Sequence, residues 1–90
     1  MRRYIIIADQ SCAVFFDEIA SDPYAAIKAG EAKIGAGATN LEPCRKGDFD
    51  SLYSVYQAPI DFEEIGADDA LMVTEKCEYV GTFREAAEAE

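Results

Sequence analysis

YIIIA, residues 4–8, is an uninterrupted apolar run in which three of the five side chains are β-branched. Such side chains favour strands, and an apolar run without alternation indicates a strand that is covered on both faces. Turn-forming residues follow at 9–11, and a second, largely apolar run occupies residues 12–19. The two runs predict a β-hairpin whose first strand lies inside a sheet. Helical spacing within the second run leaves a helix open as the alternative there.

A helix is predicted directly after the hairpin, where Asp22 precedes Pro23. A short polar side chain caps the first turn, and proline is tolerated at the first helical position because its missing N–H has no partner there anyway. The helix should run over residues 23–34 and end at Gly35. We expect Gly30 to allow a close approach to the sheet. The residues predicted to face the sheet are Tyr24, Ile27 and Ile34.

The rest of the chain alternates between loops and short strands. Asn, Pro, Gly and a basic pair indicate a loop over residues 38–47, and a run of acids forms a connection at residues 61–69. The polar, acidic tail at residues 84–90 should be a short helical turn or a frayed end. Strands are predicted at residues 52–57, 70–74 and 79–83. The order is therefore β-β-α-β-β-β, an α+β domain in which one helix packs on one face of an antiparallel β-sheet of about five strands.

Residues 1–90 form a single domain, because a chain of this length cannot divide its hydrophobic core. One helix covers only one face of a five-stranded sheet, so the second face should meet solvent or a partner. Tyrosine suits such a face, since its ring adds contact area while its hydroxyl stays hydrated. Some of the chain's tyrosines should lie on that face; the candidates are Tyr4, Tyr53, Tyr56 and Tyr79.

Charge is distributed unevenly along the chain. Residues 1–46 hold six basic and six acidic side chains, whereas residues 47–90 hold two basic and twelve acidic ones and so carry the whole net charge of −10. Affinity for a phosphate backbone comes from cations, so direct binding to nucleic acid is disfavoured. A basic protein partner would instead be attracted and steered. Keeping a small domain dissolved is the other use of such a surface.

The sequence also bears on where the protein works. No apolar run approaches the roughly 18 residues that cross a bilayer, and the first apolar stretch ends at Asp9, too early for a signal peptide. The three cysteines, Cys12, Cys44 and Cys77, fit neither a disulfide framework nor a zinc-binding spacing. A cytoplasmic protein with reduced, partly buried thiols is therefore expected.

The sequence offers little to a catalytic site. Histidine is absent, which excludes Ser-His and Cys-His nucleophiles. The adjacent carboxylates Asp17-Glu18 and Glu63-Glu64 have no predicted cleft that would shift their pKa values. The glycines near the helix follow it instead of opening it, so no phosphate loop is predicted, and the acids do not match the spacing of a calcium loop. We therefore expect no enzyme, no cofactor and no metal site.

The acids themselves remain as candidates for function. In an extended segment two residues span about 6.6 Å, so alternate carboxylates would lie at roughly the spacing of neighbouring phosphates on a nucleic-acid strand. An acidic surface of this kind can occupy a groove meant for DNA or RNA. Tyrosines would add affinity, since buried aromatic side chains carry more interface energy than rim charges do. The predicted partner-binding residues are Asp48, Asp50, Tyr53, Tyr56, Asp61, Glu63, Glu64, Asp68 and Asp69.

A small, acidic, single-domain chain with a sheet and one helix, an apolar first strand such as residues 4–8 and no catalytic motif resembles the inhibitors encoded by bacteriophages and mobile elements, including the anti-CRISPR proteins. The resemblance covers size, charge and element order and involves no shared motif, so no residue role is carried over. It implies a non-enzymatic inhibitor in the host bacterial cytoplasm. Its partner would be the basic surface of a CRISPR effector complex or another nucleic-acid-handling complex.

Two other functions stay open. One is a self-associating accessory or structural domain of a phage or bacterial assembly, possible as a homodimer joined through the second sheet face or through a small-residue face of the helix. That face consists of Ala25, Ala29 and Ala32. The other is a small acidic protein that binds a metal ion through its carboxylates.

Overall fold

A computed structural model gives the structure of residues 1–35, 40–44 and 51–85. Five antiparallel strands form one sheet in the order β2-β1-β4-β5-β3. The strands are β1 (Arg2–Ala8), β2 (Ala13–Ala20), β3 (Leu41–Pro43), β4 (Ser51–Ala58) and β5 (Glu78–Glu85). The helices are α1 (Pro23–Lys33) and α2 (Ala70–Lys76), the latter preceded by a 3-10 turn at Ala67–Asp69. The predicted α+β class with a five-stranded antiparallel sheet is confirmed.

β1 lies inside the sheet, between β2 and β4, as its apolar sequence predicts. Ile5 and Ile6 point to opposite faces and both are fully buried, an environment to which an uninterrupted β-branched run is suited. The predicted hairpin with β2 is present, with Ile6 opposite Phe16 and a bulge between Ile6 and Ile7. The helical alternative for residues 12–19 is therefore wrong.

α1 begins where the sequence predicts. The Asp22 side chain accepts a hydrogen bond from the Ala25 N–H at 2.9 Å, and Pro23 occupies the first turn. Gly35 follows the helix with φ 75°, a left-handed conformation that glycine adopts without strain. The helix ends at Lys33, one residue earlier than predicted.

The face of α1 that meets the sheet is rotated from the predicted one. Its buried residues are Ala26, Ile27, Gly30 and Glu31. These positions are three or four residues apart and share one side of the helix, whereas Ile34 lies beyond the last turn and is 64% exposed. Tyr24 sits at the rim, where its ring meets the Phe83 ring edge-on at 5.0 Å between centroids. The close approach at Gly30 is confirmed, since a Cβ there would meet the Phe16 ring at 2.3 Å.

One of the predicted strands is a helix. Residues 70–74 form most of α2, and the fifth strand is instead β3, which lies within the predicted loop of residues 38–47 and pairs with β5. Ala, Leu and Met favour helices, and the helix buries Val73 fully while leaving Leu71 72% exposed. The element order is therefore β-β-α-β-β-α-β, with two helices instead of one.

The sheet is covered on both faces, not on one. The core beneath α1 contains Tyr4, Ile6, Phe16, Ala20, Tyr53, Val55 and Phe83. A second cluster, on the opposite face, consists of Ile5, Ile7, Ala58 and Val73. The chain that follows β4 packs against this second cluster, and so does α2. The prediction that this face is open is therefore wrong over that area. Tyr56 does lie on the second face, with its ring 5.5 Å from that of exposed Tyr79.

Candidate functional site

Residues 61–69, which we call the acidic segment, connect β4 to α2 and carry five carboxylates. The segment begins with a turn in which the Phe62 N–H donates to the Pro59 carbonyl at 3.0 Å. Phe62 and Ile65 then pack inward against the second cluster. The carboxylates at 61, 63, 64 and 68 are exposed. Apolar side chains thus hold the segment to the sheet while its acids face solvent.

Arg3 ties the acidic segment to the sheet. It is 7% exposed, and its guanidinium donates two hydrogen bonds to the Asp17 carboxylate, at 2.8 and 2.6 Å. The same group donates to the main-chain carbonyls of Phe62 and Glu63 and lies 5.7 Å from the centre of the Phe62 ring. The hydrogen bond with Asp17 raises the pKa of Arg3, against the lowering effect of burial. One buried cation therefore fixes the backbone of the segment without using any of its carboxylates.

In the described ranges, three acids outside the segment form ion pairs, and Asp22 accepts a hydrogen bond from the backbone. The ion pairs are Asp17 with Arg3 at 2.6 Å, Glu18 with Lys33 at 2.7 Å and Glu42 with Arg84 at 2.8 Å. Within the described ranges the four exposed carboxylates of the acidic segment form no ion pair. The fifth, Asp69, accepts a hydrogen bond from the Gly66 N–H at 2.7 Å. The other exposed, unpaired acids in these ranges, Glu75, Glu78 and Glu85, are spread over α2 and β5.

The structure places the predicted partner-binding residues in different settings. Those on the acidic segment are the exposed Asp61, Glu63, Glu64 and Asp68 and the half-buried Asp69. Tyr56 is half-buried on the second face. Tyr53 instead lies in the core beneath α1, 7% exposed, and donates to Glu31 Oε2 at 3.3 Å, so contrary to the prediction its ring is not available to a partner. Burial and the Glu31 carboxylate raise the pKa of Tyr53. Asp48 and Asp50 lie outside the described residues.

A cavity of about 440 Å³ opens between the second face of the sheet and α2. Its walls are mainly apolar and include Ile7, Ala70 and Leu71. Two of the predicted partner-binding residues, Tyr56 and Asp68, also line it. Asp68 of the acidic segment and the remaining aromatic candidate, Tyr56, therefore border the same open cavity.

Asp9 contributes a second carboxylate to the wall of this cavity. Its Oδ1 accepts a hydrogen bond from the Ser54 hydroxyl at 2.6 Å, whereas its Oδ2 is screened from solvent and has no hydrogen-bond partner among the residues described. Burial, with smaller effects of Tyr79 and Asp9, raises the pKa of Tyr56. The sequence analysis treats Asp9 only as a turn residue. The signal that could have identified it is the strand period of two, which places Asp9 on the same face as Ile7.

The structure also bears on membranes and metals. No helix in residues 1–35, 40–44 and 51–85 has both the length and the apolar character needed to cross a membrane. In the same ranges no group of three His, Cys, Asp or Glu side chains is arranged to hold a metal ion. Among the cysteines, Cys12 is exposed, whereas Cys44 and Cys77 are half-buried. Burial raises the pKa of the Cys77 thiol.

Comparison with known protein families, curated proteins and solved structures gives no match to this chain.

Proposed function

We propose that this protein is a non-enzymatic inhibitor or modulator that binds the basic surface of a nucleic-acid-handling complex. The observation that carries the proposal is the acidic segment, whose backbone is fixed by Arg3 while four of its carboxylates are exposed and unpaired within the described ranges. Carboxylates held on a fixed backbone attract lysine and arginine from a distance and set the register of docking. They also lose little conformational entropy on binding, because the chain that bears them is already ordered.

The geometry of the segment is compatible with mimicry of a nucleic-acid strand. Residues 62–66 adopt no regular secondary structure, so Glu63 is not part of a helix. Asp61 lies in the turn that opens the segment and Asp68 in the 3-10 turn, so these acids do not form one extended row at the phosphate spacing of about 6.6 Å. A groove that binds a guide or target strand would instead meet exposed carboxylates on one ordered connection. The choice of a CRISPR effector as one such complex rests on the resemblance in size and charge, since the order of the elements differs from the predicted one.

Charge reversal tests this proposal against the simple effect of net charge. The triple variant Asp61→Lys, Glu63→Lys and Glu64→Lys should slow association with the partner at least tenfold at low ionic strength, because steering depends on the local potential. The matched control, Glu75→Lys, Glu78→Lys and Glu85→Lys, changes the net charge equally but lies on α2 and β5, and should slow association less than threefold. The partner is first recovered from lysate of the source cells with the wild-type protein at two salt concentrations, and kinetics are then measured with the purified complex.

Each result of that comparison of association rates either supports or contradicts the proposal. Screening predicts that the difference between the two variants shrinks as salt rises above physiological concentration. Equal slowing by both variants would show that net charge alone acts, and unchanged association of the first variant would overturn the proposal. Circular dichroism of each variant establishes that the fold is retained.

A second candidate, self-association, is favoured by one edge of the sheet. As far as the structure describes the chain, β2 pairs with β1 alone, and its Phe15 and Ile19 are each 52% exposed. An unpaired edge with apolar side chains is a template for another strand. The small-residue face of α1 is less suited, because Ala25 packs against the core of its own chain. Sedimentation separates the candidates: mass that rises with concentration at every salt level supports self-association, whereas a constant monomer supports the first proposal.

A further inference from the structure

We infer that the cavity between the second sheet face and α2 receives a lysine or arginine side chain from the basic partner. This inference rests on the proposed function and deepens it, since it names the group that the site would hold. A volume of about 440 Å³ lies in the range of ligand pockets, roughly 300–1,000 Å³.

The apolar part of the cavity suits an aliphatic stem. Ile7 and Ala70 form part of the wall, and Leu71, 72% exposed, borders the same space. Lysine and arginine cover apolar surface with their methylene groups while the charged end seeks a polar partner. A side chain entering past Leu71 would shield apolar surface that is now in contact with solvent. Burial of this apolar surface would add to the affinity for the partner, independently of the contribution of charge.

The polar part of the cavity suits a cation. Asp9 and Asp68 supply carboxylates to its walls, and none of the lysines and arginines in the described ranges lines it. Asp9 Oδ2 lacks a hydrogen-bond donor within those ranges, and a screened oxygen without a donor is unfavourable. The carboxylate torsion of aspartate is broad, so this oxygen can turn toward a donor that enters the cavity. Tyr56 adds an aromatic ring, a second group that attracts cations.

Other classes of ligand fit less well. An anion would face two carboxylates, with no lysine or arginine among the described residues of the wall to offset them. A neutral apolar molecule would displace water from the acids without returning a hydrogen bond, which costs free energy. A long side chain that ends in a cation satisfies both parts of the wall together.

The test uses the isolated protein and no partner. We would titrate the ¹⁵N-labelled protein with N-acetyl-lysine amide and N-acetyl-arginine amide, with N-acetyl-norleucine amide as the uncharged control, and follow backbone amide shifts. At least one cationic amide should give saturable shifts that centre on Ile7, Tyr56 and Leu71, and should bind at least tenfold more tightly than the norleucine amide. The lysine and arginine arms decide which cation is preferred.

Substitutions in the wall locate the binding site. Asp68→Asn, at an exposed position, should weaken binding of the cationic amide at least threefold, and Asp9→Asn should do the same if it folds. Glu85→Gln removes the same charge at an exposed position of β5 and should leave binding unchanged. Equal binding of the norleucine amide, or shifts from the cationic amides that never saturate or centre elsewhere, would overturn the inference. Because charge reversal at 61, 63 and 64 tests partner binding separately, failure here and failure of the proposed function are distinguishable.

Discussion

Replacing Arg3 with alanine should lower the free energy of unfolding by roughly 3 kcal/mol. The change removes a buried guanidinium that bonds both the Asp17 carboxylate and two main-chain carbonyls of the acidic segment. Asp17 would lose its cation, and those carbonyls would lose a donor. Removal of one partner from a buried ion pair is among the most destabilising substitutions. Because Asp17 is partly exposed, the expected loss lies at the lower end of the usual range.

Arg2→Ala is the matched control for that variant. Arg2 has the same charge and adjoins Arg3 on β1, but it is exposed, so its removal should change stability by less than about 0.5 kcal/mol. Urea denaturation followed by circular dichroism gives both values. Hydrogen exchange should also become faster across the acidic segment in the Arg3 variant only. Equal stability of the two variants would contradict the role assigned to Arg3.

Gly30→Ala should destabilise the fold by about 2 kcal/mol, although alanine is the better helix former by roughly 1 kcal/mol. The added methyl group would lie 2.3 Å from an atom of the Phe16 ring. That ring is 5% exposed and packs against Tyr53 at 5.7 Å between centroids, so it has little room to withdraw. Either α1 must move away from the sheet or the ring must leave its favoured rotamer, and both cost packing energy.

Two comparisons separate this clash from helix propensity. In a Phe16→Leu background the same Gly30→Ala change should be much less harmful, since the ring that meets the methyl group is gone. Ala32→Gly, at an exposed position of α1, should cost about 1 kcal/mol through propensity alone. Thermal and urea unfolding of the wild type, the three single variants and the double variant measure these differences. A more stable Gly30→Ala protein would show that α1 does not approach the sheet so closely.

Where the sequence analysis predicted an element correctly, local chemistry alone determines that element. The β-branched run at residues 4–8 can be buried on both faces only inside a sheet, and β1 lies there. Asp22 and Pro23 form a helix start that needs no distant contact, and α1 begins at Pro23. In each case the backbone preference and the tertiary environment agree.

The errors arise where partners distant in the sequence decide the outcome. Residues 70–74 contain too few positions to distinguish an apolar strand from the first turn of a helix, and packing of Val73 against the second cluster decides for the helix. β3 is only three residues long and includes Pro43, so its pairing with β5 leaves almost no local signal. Only its pairing with β5 identifies β3 as a strand.

The candidate site was predictable in part, because Tyr53 and Tyr56 are an odd number of positions apart on one strand. Side chains on a strand alternate between faces, so one of the two had to lie beneath the helix. Tyr53 does, and only Tyr56 reaches the cavity. The cavity itself needed α2, which the sequence analysis assigned to a strand. The contribution of Asp9 followed from the register of β1 rather than from its turn propensity.

The groups that hold the acidic segment to the sheet are different from the carboxylates that it exposes to solvent. Arg3 holds it through the carbonyl groups of Phe62 and Glu63, and the packing contacts come from Phe62 and Ile65. The exposed side chains at 61, 63 and 64 form no ion pair in the described ranges and donate or accept none of the hydrogen bonds of that attachment. Under the proposed function, substitutions at these three positions can therefore change which surface the protein binds while the hydrogen bonds and packing that hold the segment are kept.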